Sequence, residues 1–143
     1  MSAFSDYLEN RLIDHVFRAA TFTKPSTLYI ALYTVAPSDS GGGTEVSGGS
    51  YARQALNPSN TNWYATQGGT TGASSGTGGA TSNALEVSFP QATANWGTIV
   101  AAAIFDASTS GNMLFWGNLA SSKIINSGDQ FRIAAGDFDV TLA

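Results

Sequence analysis

A single histidine, His15, is the only imidazole in the chain, and there is no cysteine. Nucleophilic catalysis needs a base within reach of a serine, threonine or cysteine. Here the base sits between Leu12 and Val16, in a stretch that reads as helix, beside Asp14. No Gly-x-Ser-x-Gly elbow followed by Asp and His in order is present, so the spacing points to a surface helix histidine rather than to a triad. The carboxylates that could pair for acid–base work or a metal are Asp106, Asp129, Asp137 and Asp139. Asp137 and Asp139 flank Phe138 and would share a strand face. They lack the run of oxygen ligands, the glycine and the terminal Glu of a calcium loop, and read as a turn residue and a solvent-facing strand residue. Gly76, Gly78 and Gly79 mimic a phosphate loop, but no Lys-Ser or Lys-Thr follows and no helix is expected behind them. The sequence thus nominates no catalytic, cofactor-binding or metal-ligating residue.

Four aromatics, Trp63, Tyr64, Trp96 and Trp116, could stack a sugar or a base. Base stacking sits beside Lys or Arg, and only Arg53, Lys123 and Arg132 follow Lys24. Nucleic acid is therefore not an expected partner, and the formal charge of −4 argues the same way. Sugar stacking needs no positive charge and stays open. Core or interface packing is the leading use of Trp96 and Trp116, which lie among Ile99, Ile104, Leu114 and Phe115.

The elements that would position these groups follow from periodicity. Phe4, Leu8, Leu12, Val16 and Ala20 recur at helical spacing, with Ile13 and Phe17 in the neighbouring row. Asp6 and Glu9 favour the first turn, Arg18 the last, and Ser2 or Ser5 could cap the start. The spacing predicts an amphipathic helix over about 4–20, ended before Pro25. Beyond it come short apolar segments: Leu28–Tyr33, Tyr51–Leu56, Ala84–Phe89, Trp96–Phe105, Met113–Trp116, Lys123–Ile125, Gln130–Ile133 and Phe138–Leu142, parted by Gly, Asn, Asp and Pro turns. Trp96–Phe105 is apolar throughout and reads as buried on both faces. The stretch 66–82 carries six glycines and no large apolar side chain, and reads as a flexible Gly/Ser/Thr-rich arm.

The expected fold is therefore mainly β, an antiparallel β-sandwich (jelly-roll or Ig-like) with one N-terminal amphipathic α-helix. At 143 residues it forms a single domain, 1–143, with the sandwich over about 26–143. Charged residues are only 11%, and about one residue in three is Ser, Thr or Gly. No run approaches the length of a membrane span and no signal peptide opens the chain, so a protein made in the cytoplasm, with no membrane partner, is expected.

One ordered series of motifs stands out. Ser5-Asp6-Tyr7-Leu8-Glu9-Asn10 and Leu12-Ile13-Asp14-His15 lead into Phe22-Thr23-Lys24-Pro25 and Leu28-Tyr29-Ile30-Ala31-Leu32-Tyr33-Thr34. Then come Ala36-Pro37-Ser38-Asp39, Thr44-Glu45-Val46-Ser47-Gly48-Gly49-Ser50-Tyr51-Ala52-Arg53-Gln54, Val87-Ser88-Phe89-Pro90, Trp96-Gly97-Thr98-Ile99, Ile104-Phe105-Asp106 and Leu114-Phe115-Trp116-Gly117-Asn118-Leu119. This series resembles the small tail-fibre-like virion structural proteins of tailed bacteriophages, over most of the chain. The stretch from Gln67 to Ser82 is its least family-like part. The resemblance implies a virion component without an enzymatic site or cofactor, tail-fibre-like or a capsid decoration (cement) protein. Its partners would be other virion proteins and copies of itself, with a trimer favoured. A host-glycan-binding module of the tail is the alternative.

Overall fold

The computed structural model describes residues 2–142; Met1 and Ala143, the ends of the expected domain, lie outside the described residues, and of Ser2 only the backbone is described. Chain order is β1 (Ser2–Phe4), α1 (Asp6–Phe17), β2 (Tyr29–Val35), β3 (Thr44–Glu45), β4 (Gln54–Ala55), β5 (Ala80–Ser82), β6 (Val87–Ser88), β7 (Gly97–Phe105), β8 (Met113–Ile125), β9 (Arg132–Ile133) and β10 (Asp139–Thr141). The protein is mainly β, every ladder is antiparallel, and one helix lies near the N-terminus. A six-stranded sheet runs β1-β8-β7-β2-β3, with β4 also paired to β2. Two two-stranded sheets, β5–β10 and β6–β9, complete the set.

Alternation along β2 explains why the large sheet has two covered faces. Ile30 and Leu32 point to one side and Ala31 and Tyr33 to the other, all buried. The first side, with Ile99 and Ala102 of β7, packs under Val87 of β6, Ile133 of β9, and Phe89 and Phe131. The opposite side uses small residues, Ala31, Ala101 and Ala103, with Tyr33, Phe105 and Met113. A third cluster joins Leu8 of α1 to Ile104, Leu114 and Val140 of β10. The small sheets thus cover one face of the large one, which fits a sandwich of unequal layers.

The apolar run predicted as a strand buried on both faces is β7, whose residues from Ala101 to Phe105 are all buried. Its ladder with β8 slips between Ile99↔Lys123 and Ala101↔Asn118, setting Leu119–Ser122 against Val100. This bulge puts Val100 and Ala101 on the same face, and Ile99 and Ala102 on the other.

Several boundaries differ from the expected ones. The helix begins at Asp6, not near 4, because β1 is claimed by backbone pairing of Ala3 with Trp116 and Phe4 with Phe115. It ends at Phe17, not 20: Arg18 is extended, and His15 Nδ1 accepts the Phe22 N–H at 3.1 Å, folding the following chain back. Ser5 is the N-cap, its hydroxyl accepting from the Leu8 N–H while donating to the Met113 carbonyl. Lys123–Ile125 is not a separate strand but the end of β8, since Gly117-Asn118 stays on the β7 ladder. Only Gln54–Ala55 of the segment Tyr51–Leu56 pairs, because Tyr51 and Arg53 are committed through their side chains. The expected strands at 84–89, 130–133 and 138–142 shorten to β6, β9 and β10. The tail of the 66–82 segment forms β5, paired to β10 through Thr81 opposite Val140.

Candidate contact surface

Two of the acidic residues singled out for chemistry, Asp106 and Asp129, are engaged in closing turns. Asp106 takes the Asn112 backbone N–H on Oδ1 at 2.7 Å and the Asn112 amide on Oδ2 at 2.8 Å, sealing the β7–β8 hairpin. In that turn Gly111 sits at φ +74, and a Cβ there would come within 2.6 Å of the Ala107 Cβ. Asp129 accepts the Asn126 N–H at 2.9 Å. Asp137 and Asp139 are both exposed, one before β10 and one opening it. Among the described residues no group of three His, Cys, Asp or Glu could hold a metal ion. His15 is exposed and spent on the Phe22 backbone; Asp14, beside it, pairs with Arg18 at 3.2 Å.

The four aromatics are not assembled into one platform. Trp96 is buried in the core, with its indole donating to the Gly49 carbonyl at 2.9 Å. Trp116 packs on the opposite sheet face and donates to Asp39 Oδ1 at 2.8 Å. Trp63 and Tyr64 stay together at a cleft of about 550 Å³. Leu28, Ile104, Phe115 and Val140 line it from the body of the protein, Thr70, Ala73 and Ser74 from the glycine-rich segment, and Lys24 contributes a charge. Trp63 is held edge-on to Phe138 and donates to the Leu56 carbonyl at 3.1 Å.

The segment above the cleft is closed by its own polar groups. The Gln67 amide donates to the Ala73 carbonyl at 2.8 Å and its oxygen accepts the Ser75 N–H at 2.9 Å. Ser74 Oγ takes the Thr66 N–H at 3.2 Å. At its base Thr81 donates to the Tyr64 carbonyl at 2.6 Å, and Leu142 N–H reaches Gly79. This is a compact loop whose ends meet where the Tyr64 N–H reaches the Ser82 carbonyl, beside the Trp63–Asn83 bridge.

Two polar groups that sequence reasoning missed hold these surfaces in place. Asn83 is fully buried; its amide donates to the Leu85 and Ala134 carbonyls at 2.7 and 2.8 Å, and its oxygen accepts the Phe138 N–H at 2.8 Å. Nothing in its local sequence marks it. Arg53, by contrast, stands eight residues after Glu45 in a charge-poor region, a signal that could have been read. Its Nε and Nη2 donate to the two Glu45 oxygens at 2.8 Å, its Nη1 to the carbonyls of Ala107 and Ser110, and its guanidinium lies 3.7 Å from the Phe105 ring centroid. Burial disfavours the Arg53 charge, but the bonds and attraction to Glu45 outweigh this and hold its pKa above the ordinary value. The Tyr51 hydroxyl donates to Glu45 at 3.0 Å and accepts the Leu32 N–H at 2.9 Å. Burial, then the Glu45 charge, push both Tyr51 and Tyr33 above the usual phenol range.

The exposed apolar side chains cluster at the end of α1, with Val35, Leu85, Ile124 and Leu142 exposed elsewhere. Leu8 is buried, but Ile13, Val16 and Phe17 are 51%, 64% and 80% exposed. The apolar row of the helix is therefore covered only in its N-terminal half. The helix docks on β1 and β8 through that half and leaves its last turn bare.

A family model described as podophage GP4 fiber I protein gp80 matches residues 3–141. The chain belongs to this phage fibre family. It is a virion protein family of the tail-fibre-like kind, in agreement with the resemblance of the motif series. A comparison with curated proteins finds no match.

Proposed function

We propose that the protein is a non-enzymatic structural component of a tailed-phage fibre, made in the host cytoplasm and built into the virion as a repeated single domain, 1–143. The family match across residues 3–141 carries this reading. The chemistry of the surface supports it: Asp106, Asp129 and His15 serve turns and a helix end, while Ile13, Val16 and Phe17 stand bare and suit protein contacts. Attachment would come from many weak contacts acting together, with other virion proteins and with copies of the same chain, a trimer being the favoured state. Quantitative mass spectrometry of purified virions against the major capsid protein tests the assignment. A few to a few tens of copies, on the order expected for a tail appendage, support the fibre; hundreds point to a decoration (cement) role; none refutes both.

A second reading rests on Trp63 and Tyr64 beside the cleft, ringed by threonine and serine hydroxyls. A host-glycan-binding module would use them as a sugar-stacking wall. Saturable quenching of tryptophan fluorescence by host surface polysaccharide supports it; an unchanged signal across a glycan panel removes it.

A further inference from the structure

We propose that the bare last turn of α1 seats in the cleft beneath the glycine-rich loop of a second copy of this chain. The inference rests on the assembly reading above and names the contact. Ile13, Val16 and Phe17 stand at spacings of three and four, so they form one continuous knob. A fully presented phenylalanine beside two β-branched residues is costly to leave in water. No residue of α1 lines the cleft of its own chain, while that cleft offers Leu28, Ile104, Phe115, Val140 and Leu142. Leu142 is itself 54% exposed, so both surfaces carry apolar area with nothing over it.

Charge selects the occupant. Glu9 lies one turn before Ile13 on the same helical face, and it is the acidic residue at the head of the knob. Lys24 is the charged residue lining the cleft. Among the described residues neither forms an ion pair, so both charges are free for a partner. A knob with a carboxylate at one end therefore meets a cleft with an ammonium at its side. Each chain carries one of each, so the contact is heterologous: head to tail, closing into a ring or continuing as a filament according to the rotation per step.

The test is sedimentation velocity on the full chain, with circular dichroism to confirm that each variant folds. Wild type should form a discrete oligomer or filament. Phe17→Ser removes the knob from a position that contributes nothing to the core, and Ala73→Arg obstructs the cleft. Each alone should weaken association about 30-fold or more, as loss of a central contact residue does. Mixed in equal amounts the two variants should form dimers and nothing larger, because one good knob and one good cleft remain between them. Glu9→Lys and Lys24→Glu should each weaken assembly, and combined in one chain should restore it. A monomeric wild type overturns the proposal, as does Phe17→Ser assembling normally or a mixture that fails to pair. Oligosaccharide that fills the cleft without dissociating wild type overturns it as well. Virion mass spectrometry fails or succeeds independently: a chain that assembles this way yet is absent from virions refutes the fibre role and leaves this contact standing.

Discussion

Replacing Arg53 by Met should be the most damaging single change on the surface of the large sheet. The guanidinium makes a two-pronged pair with Glu45, reaches two carbonyls of the β7–β8 turn and covers the Phe105 ring, with its side chain only 7% exposed. Methionine keeps most of the volume, so the loss is chiefly of charge and hydrogen bonds. Removing one partner of a buried pair costs about 3–5 kcal/mol; because Glu45 is 26% exposed and keeps its bond from Tyr51, the lower end, about 3 kcal/mol, applies. The cation over Phe105 adds about 1 kcal/mol. The turn carbonyls can turn to water and add little. The sum of about 4 kcal/mol corresponds to a fall in melting temperature of roughly 12 °C for a chain of this size. Urea unfolding of wild type, Arg53→Met, Glu45→Gln and the double variant measures it. The cycle should return a coupling of about 2 kcal/mol or more between positions 45 and 53. A loss below about 1 kcal/mol, or additive single effects, would mean that the pair contributes no more than an ordinary surface bridge, and the reasoning would be refuted.

Other perturbations have equally definite outcomes. Asn83→Ala strips partners from two carbonyls and one N–H, and should cost about 2–4 kcal/mol in a urea titration. Ser5→Ala removes both the helix cap and the tie to Met113, for about 2 kcal/mol, with helicity measured by circular dichroism falling in step. The raised phenols of Tyr51 and Tyr33 keep their protons in the folded chain after they are lost in the unfolded one, so their stabilisation is complete below the ordinary phenol pKa and declines as pH rises above about 10. Thermal melts against pH should show that decline, and Tyr51→Phe should make it shallower. Gly111→Ala should destabilise the β7–β8 hairpin by about 1–3 kcal/mol, since the turn combines positive φ with a collision at Ala107; an unchanged melt would contradict it.

Much of the fold was legible because the strongest patterns were also the most buried. The continuous apolar run became β7, the Leu28–Tyr33 segment became β2, and the helical period of the first residues became α1. Short strands were misjudged where side chains, not ladders, commit the residues: Tyr51 and Arg53 look like strand residues and act as network residues. Phe4 fits the helical period, and only the long-range pairing of Ser2–Phe4 with Phe115–Gly117 makes it a strand residue. Such pairing is a property of tertiary contact and leaves no local mark. The contact surface was half legible. Periodicity marked Ile13, Val16 and Phe17 as one apolar face but could not say whether that face turns inward. Asn83 was invisible, because an asparagine at the end of a glycine-rich stretch has the same local signature as any turn residue.

The self-closed loop between Tyr64 and Ala80 has a consequence for how such chains can diversify. Its folding is settled by the Gln67 and Ser74 side chains and its own backbone, and its two ends are joined where Tyr64 pairs with Ser82 and Trp63 with Asn83. Lengthening a loop whose ends are already pinned adds only about 0.6 kcal/mol per doubling. The exposed stretch Gly76–Gly78, outside those bonds and outside the cleft lining, is therefore a natural graft point. Foreign peptides spliced there would be displayed once per chain, while the core under β7 would not register the change.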